Sequence, residues 1–263
     1  MSSPALWSLS IEEMAVGLSL LGRPELARTL LSNQYGEIGA DDERGRLMAA
    51  NNTLCVRGWL TIDGNGRPHL DPQLRQALEA VVRQDYLLRC SRNSGGKEEV
   101  LAYYVTPEIT VEHSIGMSGV AHHLAIADAG RIVEKVTEFL GAGDDPLPAI
   151  TPATFSHAVL TEASNDATQS AAAAQATLNR GGVAEPMAGW FAEDLFANDY
   201  RASLLRVDMD AQGAAIADRG FLALRGRGGR VWLLRVILEN NNANIVATLA
   251  NREVIQTAVR ELL

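Results

Sequence analysis

Five histidines are the side chains that chemistry near neutral pH would recruit first: His69, His113, His122, His123 and His157. His122 and His123 are neighbours in VAHHLAIA, an alternating run that predicts a strand. Their imidazoles therefore leave opposite faces and cannot chelate one ion together. His113 stands in the preceding alternating run, ITVEHSI, beside Glu112, and is placed to approach one of the pair across the ladder. Such a pair could act as a general base or as half of a metal site, but a hydrogen-bonded or surface histidine is the simpler reading. His69 falls in a turn and His157 on a helix, neither with a repeated partner.

Other chemistry is thinly represented. GxSxG, P-loop, HExxH, EF-hand and zinc spacings are all absent from the sequence. The glycines of DGNGRP, Asp63 to Pro68, suggest phosphate, yet the GxGxxG register and a helix opening on those amides are missing, so the segment reads as a turn. RGRGGR, Arg225 to Arg230, offers three arginines that could hold an anion; flanked by two strands in an acidic protein, it reads as a solvated hairpin tip. Cys55 and Cys90 form no CxxC and read as small buried hydrophobes of a reducing compartment. The expectation is no catalytic residue, no metal site and no cofactor.

Composition narrows the partners. The chain has 263 residues, net charge −9 and pI near 5.1, a balance opposed to a nucleic-acid grip or an anionic membrane surface. Two helices followed by RGWLTIDGNGRPHL resemble a winged helix, but the recognition-helix candidate begins Asp41-Asp42-Glu43, which phosphates would repel. The N-terminus carries Glu12 and Glu13 before a short apolar stretch, unlike a signal peptide, and no run approaches the roughly 18 apolar residues of a membrane span. A cytoplasmic location without membrane insertion is expected.

The elements that would position these residues repeat. DPQLRQALEAVVRQDY, Asp71 to Tyr86, aligns without a gap on EPMAGWFAEDLFANDY, Glu185 to Tyr200, matching Pro72 to Pro186, Glu79 to Glu193 and Asp85-Tyr86 to Asp199-Tyr200. Upstream, AANNTLCVRG faces AAAQATLNRG. Downstream, IADAGRIVEKVTEFL faces LANREVIQTAVRELL. The two Asp-Tyr pairs, each between a helix and a strand, read as architecture, with Tyr packed under the turn and Asp satisfying backbone amides.

Residues 1–140 thus form a first pseudo-repeat, residues 141–153, the Gly/Pro/Asp-rich GAGDDPLPAITPA, a linker, and residues 154–263 a second pseudo-repeat. The first holds 13 basic and 18 acidic residues and the remainder 10 and 14, so neither is a specialised charged arm. In the first, helical spacing runs from Ser10, an N-cap with Glu13 completing a capping box, to about Asn33. Helices from Asp41 to Val56 and from Asp71-Pro72 follow. Four strand-like runs come next, YLLRCSR, VLAYYVTP, ITVEHSI and VAHHLAIA, parted by NSGG, Pro107 and GMSG, and Asp128 caps a helix to Leu140.

The second pseudo-repeat predicts helices near Thr154 to Ala163, Asp166 to Asn179 and Pro186 to Ala197. Strands YRASLLRVDM, RGFLALRG, RVWLLRVILE and ANIVATLA follow, with turns at RGRGGR and ENNNAN, and a helix from Arg252 to Leu262 closes it. The run Arg230 to Glu239 is apolar on both faces, as in the middle of a covered sheet. The fold class is α+β, a quasi-two-fold internal duplication in which each half runs ααα-ββββ-α. A central twisted antiparallel β-sheet is flanked by helical bundles, and the halves share one compact domain.

RGWLTIDG, LDPQLRQALEAVVRQDYLLR and KEEVLAYYVTPEITVEH, in this order and ending in a strand–helix unit, resemble the EspG family, cytosolic chaperones of type VII secretion. The residue match is mainly within Arg57 to Leu140. The resemblance implies a non-enzymatic protein that binds the apolar tip of a helical PE–PPE secretion substrate. It also implies a contact loop between early strands, corresponding here to Asn93, Ser94, Gly95, Gly96 and Lys97. Trp7, Trp59 and Trp190 lie outside the expected sheet core and are further residues to test, with core packing the expectation for each. The expected partner is a protein, and the chain a monomer or homodimer. The competing reading is an enzyme or small-ligand protein with a site between the halves near His113, His122 and His123.

Overall fold

A computed structural model describes residues 6–116, 120–210, 213–239 and 242–263. Residues 117–119 of the expected GMSG turn and 240–241 of ENNNAN lie outside them. The first described element is strand β1 (Leu6–Ser10), whose last residue caps helix α1 (Ile11–Leu20). The Ser10 amide donates to Glu13 Oε2 at 2.8 Å and the Glu13 amide to Ser10 Oγ at 3.2 Å, the expected capping box. Arg57 adds a bond from Nη1 to the Ser8 carbonyl at 2.7 Å.

The single helix expected to Asn33 is two, α1 and α2 (Pro24–Tyr35). Gly22, at φ +74°, ends the first, and Pro24 at the first position of the next starts another. Next come α3 (Ala40–Val56), the hairpin β2 (Leu60–Ile62) and β3 (Pro68–Leu70), and α4 (Pro72–Arg83), where Asp71 Oδ1 accepts the amides of Gln73 and Leu74. The meander is β4 (Tyr86–Ser94), β5 (Lys97–Val105), β6 (Thr110–Gly116) and β7 (Ala121–Ala127). Helix α5 (Ile132–Leu140) starts after a 3-10 turn at Ala129–Arg131 rather than at an Asp128 cap.

Residues 141–152 carry no helix or strand. The helix expected from Thr154 begins three residues later, because Ala153–Ser156 forms strand β8, and Ser156 caps α6 (His157–Asp166). Helix α7 (Ala171–Arg180) opens on Ser170 rather than Asp166, whose carboxylate instead takes the Thr177 hydroxyl at 2.6 Å. Helix α8 (Met187–Phe196), strands β9 (Asn198–Met209), β10 (Ala215–Gly226), β11 (Val231–Glu239) and β12 (Asn242–Ala250), and helix α9 (Arg252–Arg260) complete the chain.

The class is α+β. Ten strands join in the order β1-β7-β6-β5-β4-β9-β10-β11-β12-β8, an antiparallel sheet in which the two strands leading into capped helices, β1 and β8, are outermost. The chain forms two compact units. Unit one comprises residues up to Leu88, Glu99–Ala129 and Val207–Ala217; unit two comprises Arg89–Glu98, Gly130–Arg206 and Asp218–Leu263.

In unit one, α1, α3 and α4 pack Met14, Leu54, Leu74 and Leu78 against Trp7, Leu9, Val111 and Leu124 of the strands. In unit two, α6 to α8 pack Ala163, Leu178, Phe191 and Leu195 against Leu224, Trp232, Leu234 and Ile245. Side chains on the opposite strand face reach α5 and α9: Arg92 donates to Phe139 O, the Tyr200 hydroxyl to Leu140 O, and Arg235 pairs with Glu261 at 2.8 Å. Strand β11 is thus covered on both faces from Val231 to Leu234, as its sequence predicts, but the cover stops there.

Candidate functional site

The histidines resolve into a short chain inside unit one. Register places His113 opposite Leu124 and His122 opposite Ile115, so the two imidazoles share a face as diagonal neighbours. His113 Nε2 lies 2.9 Å from His122 Nδ1, and His113 Nδ1 lies 3.2 Å from the Tyr104 hydroxyl. Both rings are buried, 6% and 4% exposed, on the face packed by α1, α3 and α4. Burial, then the charges of His122 and His123, pushes His113 down to about 3; burial, then His123, lowers His122 as well. These are neutral rings hydrogen-bonded in a core. His123 takes no part in the chain.

The remaining sequence candidates are structural too. His69 Nε2 sits 3.2 Å from Asp63, whose Oδ1 accepts the Asn65 and Arg67 amides, so DGNGRP is the β2–β3 turn. RGRGGR is a hairpin tip, with Gly229 at φ +86°, but two of its arginines point inward rather than to solvent. Arg225 donates to Gly141 O, and Arg230 holds Asp194 through Nε at 2.7 Å. Among the described residues Asp199 likewise accepts no backbone amide; its carboxylate lies 3.8 Å from Arg225, while Tyr200 is buried as expected. Trp7 is buried in β1, and Trp59 and Trp190 are half-buried beneath Arg57 and Arg230. Among the described residues no three His, Cys, Asp or Glu side chains gather to hold a metal, and no helix is long and apolar enough to cross a membrane.

The segment Asn93 to Lys97 is a tight hairpin rather than a loop. Asn93 and Ser94 end β4, Lys97 begins β5, and the turn is Gly95-Gly96 with φ of +57° and +81°, a conformation open to glycine without strain. Ser94 Oγ donates to Asp199 O at 2.8 Å, which anchors β4 just before the turn. All five residues are exposed.

Asn93 also lines a groove of about 510 Å³ within unit two. Its floor is the hydroxyl pair Ser91 and Ser203, 2.8 Å apart, and its walls are Leu160 of α6, Leu195 of α8 and Leu222, Leu224 and Leu234 of the strands. The groove opens because the three helices cover this sheet face only in part. Leu222 is 45% exposed, and Val236 and Leu238, which continue the face of Leu234, are 56% and 79% exposed. The structure therefore joins Asn93 to apolar residues that the sequence marks only as helix or strand positions. Ser94, Gly95, Gly96 and Lys97 are not among the groove's lining residues.

No protein-family model matches the chain, and no curated protein matches it in sequence. Among solved structures, the Mycobacterium tuberculosis type VII secretion system chaperone EspG5, determined in complex with the PE25–PPE41 dimer, is similar at a TM-score of 0.70 and 12% identity. The match covers 98% of this chain and 95% of that one. From β1 to α9, then, the chain has the fold of the EspG5 chaperone.

Proposed function

We propose that this protein is a non-enzymatic, cytoplasmic chaperone-like protein that holds the apolar end of a helical partner, of the type VII secretion substrate class, in the groove beside the Gly95-Gly96 hairpin. The observation that carries this reading is the groove itself. Leucine side chains from two helices and two strands converge where the helical cover of the sheet stops, and the apolar face runs on through Val236 and Leu238. Open apolar surface of this kind, edged by Asn93 and charged side chains, is the signature of a protein-binding site. The shared fold adds weight, because the EspG5 structure was determined with a protein dimer bound. Catalysis has less support: among the described residues the histidines that meet, His113 and His122, are a neutral pair buried in the core of unit one.

The test is capture from the native host with the full chain and with Leu222→Asp, which sets a charge on the groove wall. A discrete helical partner retained by the parent chain and lost by the variant, at unchanged melting temperature, is expected. Equal retention by both chains, or no helical partner with either, would overturn the assignment.

A further inference from the structure

We infer that Arg201 selects the partner, and that the groove takes the C-terminal turn of an amphipathic helix carrying a carboxylate beside its apolar side chains. This rests on the groove being the binding site. Arg201 lines that groove, is exposed, and forms no ion pair with any described residue. The other charged residues lining the groove are engaged: Glu98 lies 3.3 Å from Arg89, and Arg92 donates to Phe139 O at 2.8 Å. One positive charge is left over at the mouth of an apolar groove.

The floor has the same polarity. In the Ser91–Ser203 pair one hydroxyl donates to the other, so the second keeps a proton for a further acceptor. Arg201 offers guanidinium donors and no acceptor, and the Asn93 amide adds two donors beside its one carbonyl acceptor. A surface with donors in excess suits a partner with acceptors in excess. The last turn of a helix is such an end, with up to four carbonyls unpaired and the negative pole of the helix dipole behind them. An N-terminal turn would present its own amides to these donors and leave both sets unsatisfied. An acidic side chain in the last turn would pair with Arg201 while leucines fill the walls, and the pairing would act mainly on choice of partner.

The experiment uses two fluorescein-labelled, alanine-rich helical peptides of about 20 residues, long enough to hold helix in water. Both carry leucines in the last two turns; one has glutamate in the final turn, the other lysine. Anisotropy titrations are run with the full parent chain, Arg201→Ala, Arg201→Glu and Leu222→Asp. The parent chain is expected to favour the glutamate peptide by about tenfold, Arg201→Ala to lose the preference, and Arg201→Glu to reverse it. If Leu222→Asp weakens both peptides but their order is the same in every Arg201 chain, the role of Arg201 is wrong and the groove stands. If neither peptide binds the parent chain, the groove reading fails and takes this inference with it.

Discussion

The indole N–H of Trp232 donates to Asp194 Oδ2 at 2.8 Å, and Arg230 closes on the same carboxylate, 2.7 Å from Nε to Oδ2 and 3.1 Å from Nη2 to Oδ1. Trp232 and Asp194 are 0% and 2% exposed. A carboxylate this deep is tolerable only because a cation and a neutral donor both satisfy it. The contact fastens α8 to β11 and to the end of the RGRGGR turn.

Asp194→Ala leaves the Trp232 N–H without an acceptor and Arg230 without its buried counter-charge. The expected loss is about 3–5 kcal/mol, the range for removing one member of a buried pair. Trp232→Phe removes a donor and some volume while Arg230 still holds the carboxylate, at a cost of about 2 kcal/mol. Urea unfolding gives both values; a loss below about 1 kcal/mol for Asp194→Ala would show that the contact is incidental.

Acid should loosen unit one through its imidazoles. His113 is held near 3 in the folded chain against an ordinary 6.5, so the unfolded state binds the proton more tightly. The stability that the neutral ring contributes is fully present above about pH 6.5 and is lost as pH falls toward 3, at up to about 1.4 kcal/mol per pH unit. His113→Phe should flatten the acid limb of the urea midpoint against pH. An unchanged limb in that variant would assign the acid sensitivity to other groups.

The two strand-to-helix corners differ in strength. At Ser10 the cap is reciprocal with Glu13; at Ser156 the hydroxyl accepts one amide, from Val159, at 3.3 Å. Ser10→Ala and Ser156→Ala should each destabilise by about 1 kcal/mol, with Ser10 the more costly. Matched denaturation curves rank them, and the opposite order would remove Glu13 from the account.

Thiol chemistry is confined to one cysteine. Cys90 is buried, and that burial, opposed by the charge of Arg92, pushes its thiol up to about 12, whereas Cys55 is partly exposed. Ellman's reagent should label at most Cys55 in the native chain and reach Cys90 only in denaturant. Rapid native labelling of Cys90 would mean that β4 opens readily.

The meander and the capping box were legible because each has a local signature: period-two alternation between glycine turns for β4 to β7 and β9 to β12, and Ser10 three residues before Glu13. Strands β1 and β8 were not. Each is four or five residues long and runs straight into an N-cap, so its residues read as the lead-in to a helix. Trp7 falls outside the expected sheet for that reason, and β1 is the element that carries it into the core. The groove left no mark in the sequence at all. Leu222 and Leu224 alternate identically in FLALRG, and one is half-exposed and the other buried only because of where α6 and α8 stop.

The bonds around β1 carry a consequence for solubility. A strand at the margin of a sheet ordinarily shows vacant amides and carbonyls to any extended chain that drifts past. On β1 the Ser8 carbonyl is already engaged by Arg57 and the Ser10 amide by Glu13. An arriving strand would find these two edge groups already held in charge-assisted bonds, which it would have to break to extend its ladder past Ser8. The margin nearest the N-terminus is therefore a poor template for growth by strand addition, which suits a molecule whose proposed work is to sit beside exposed apolar helices.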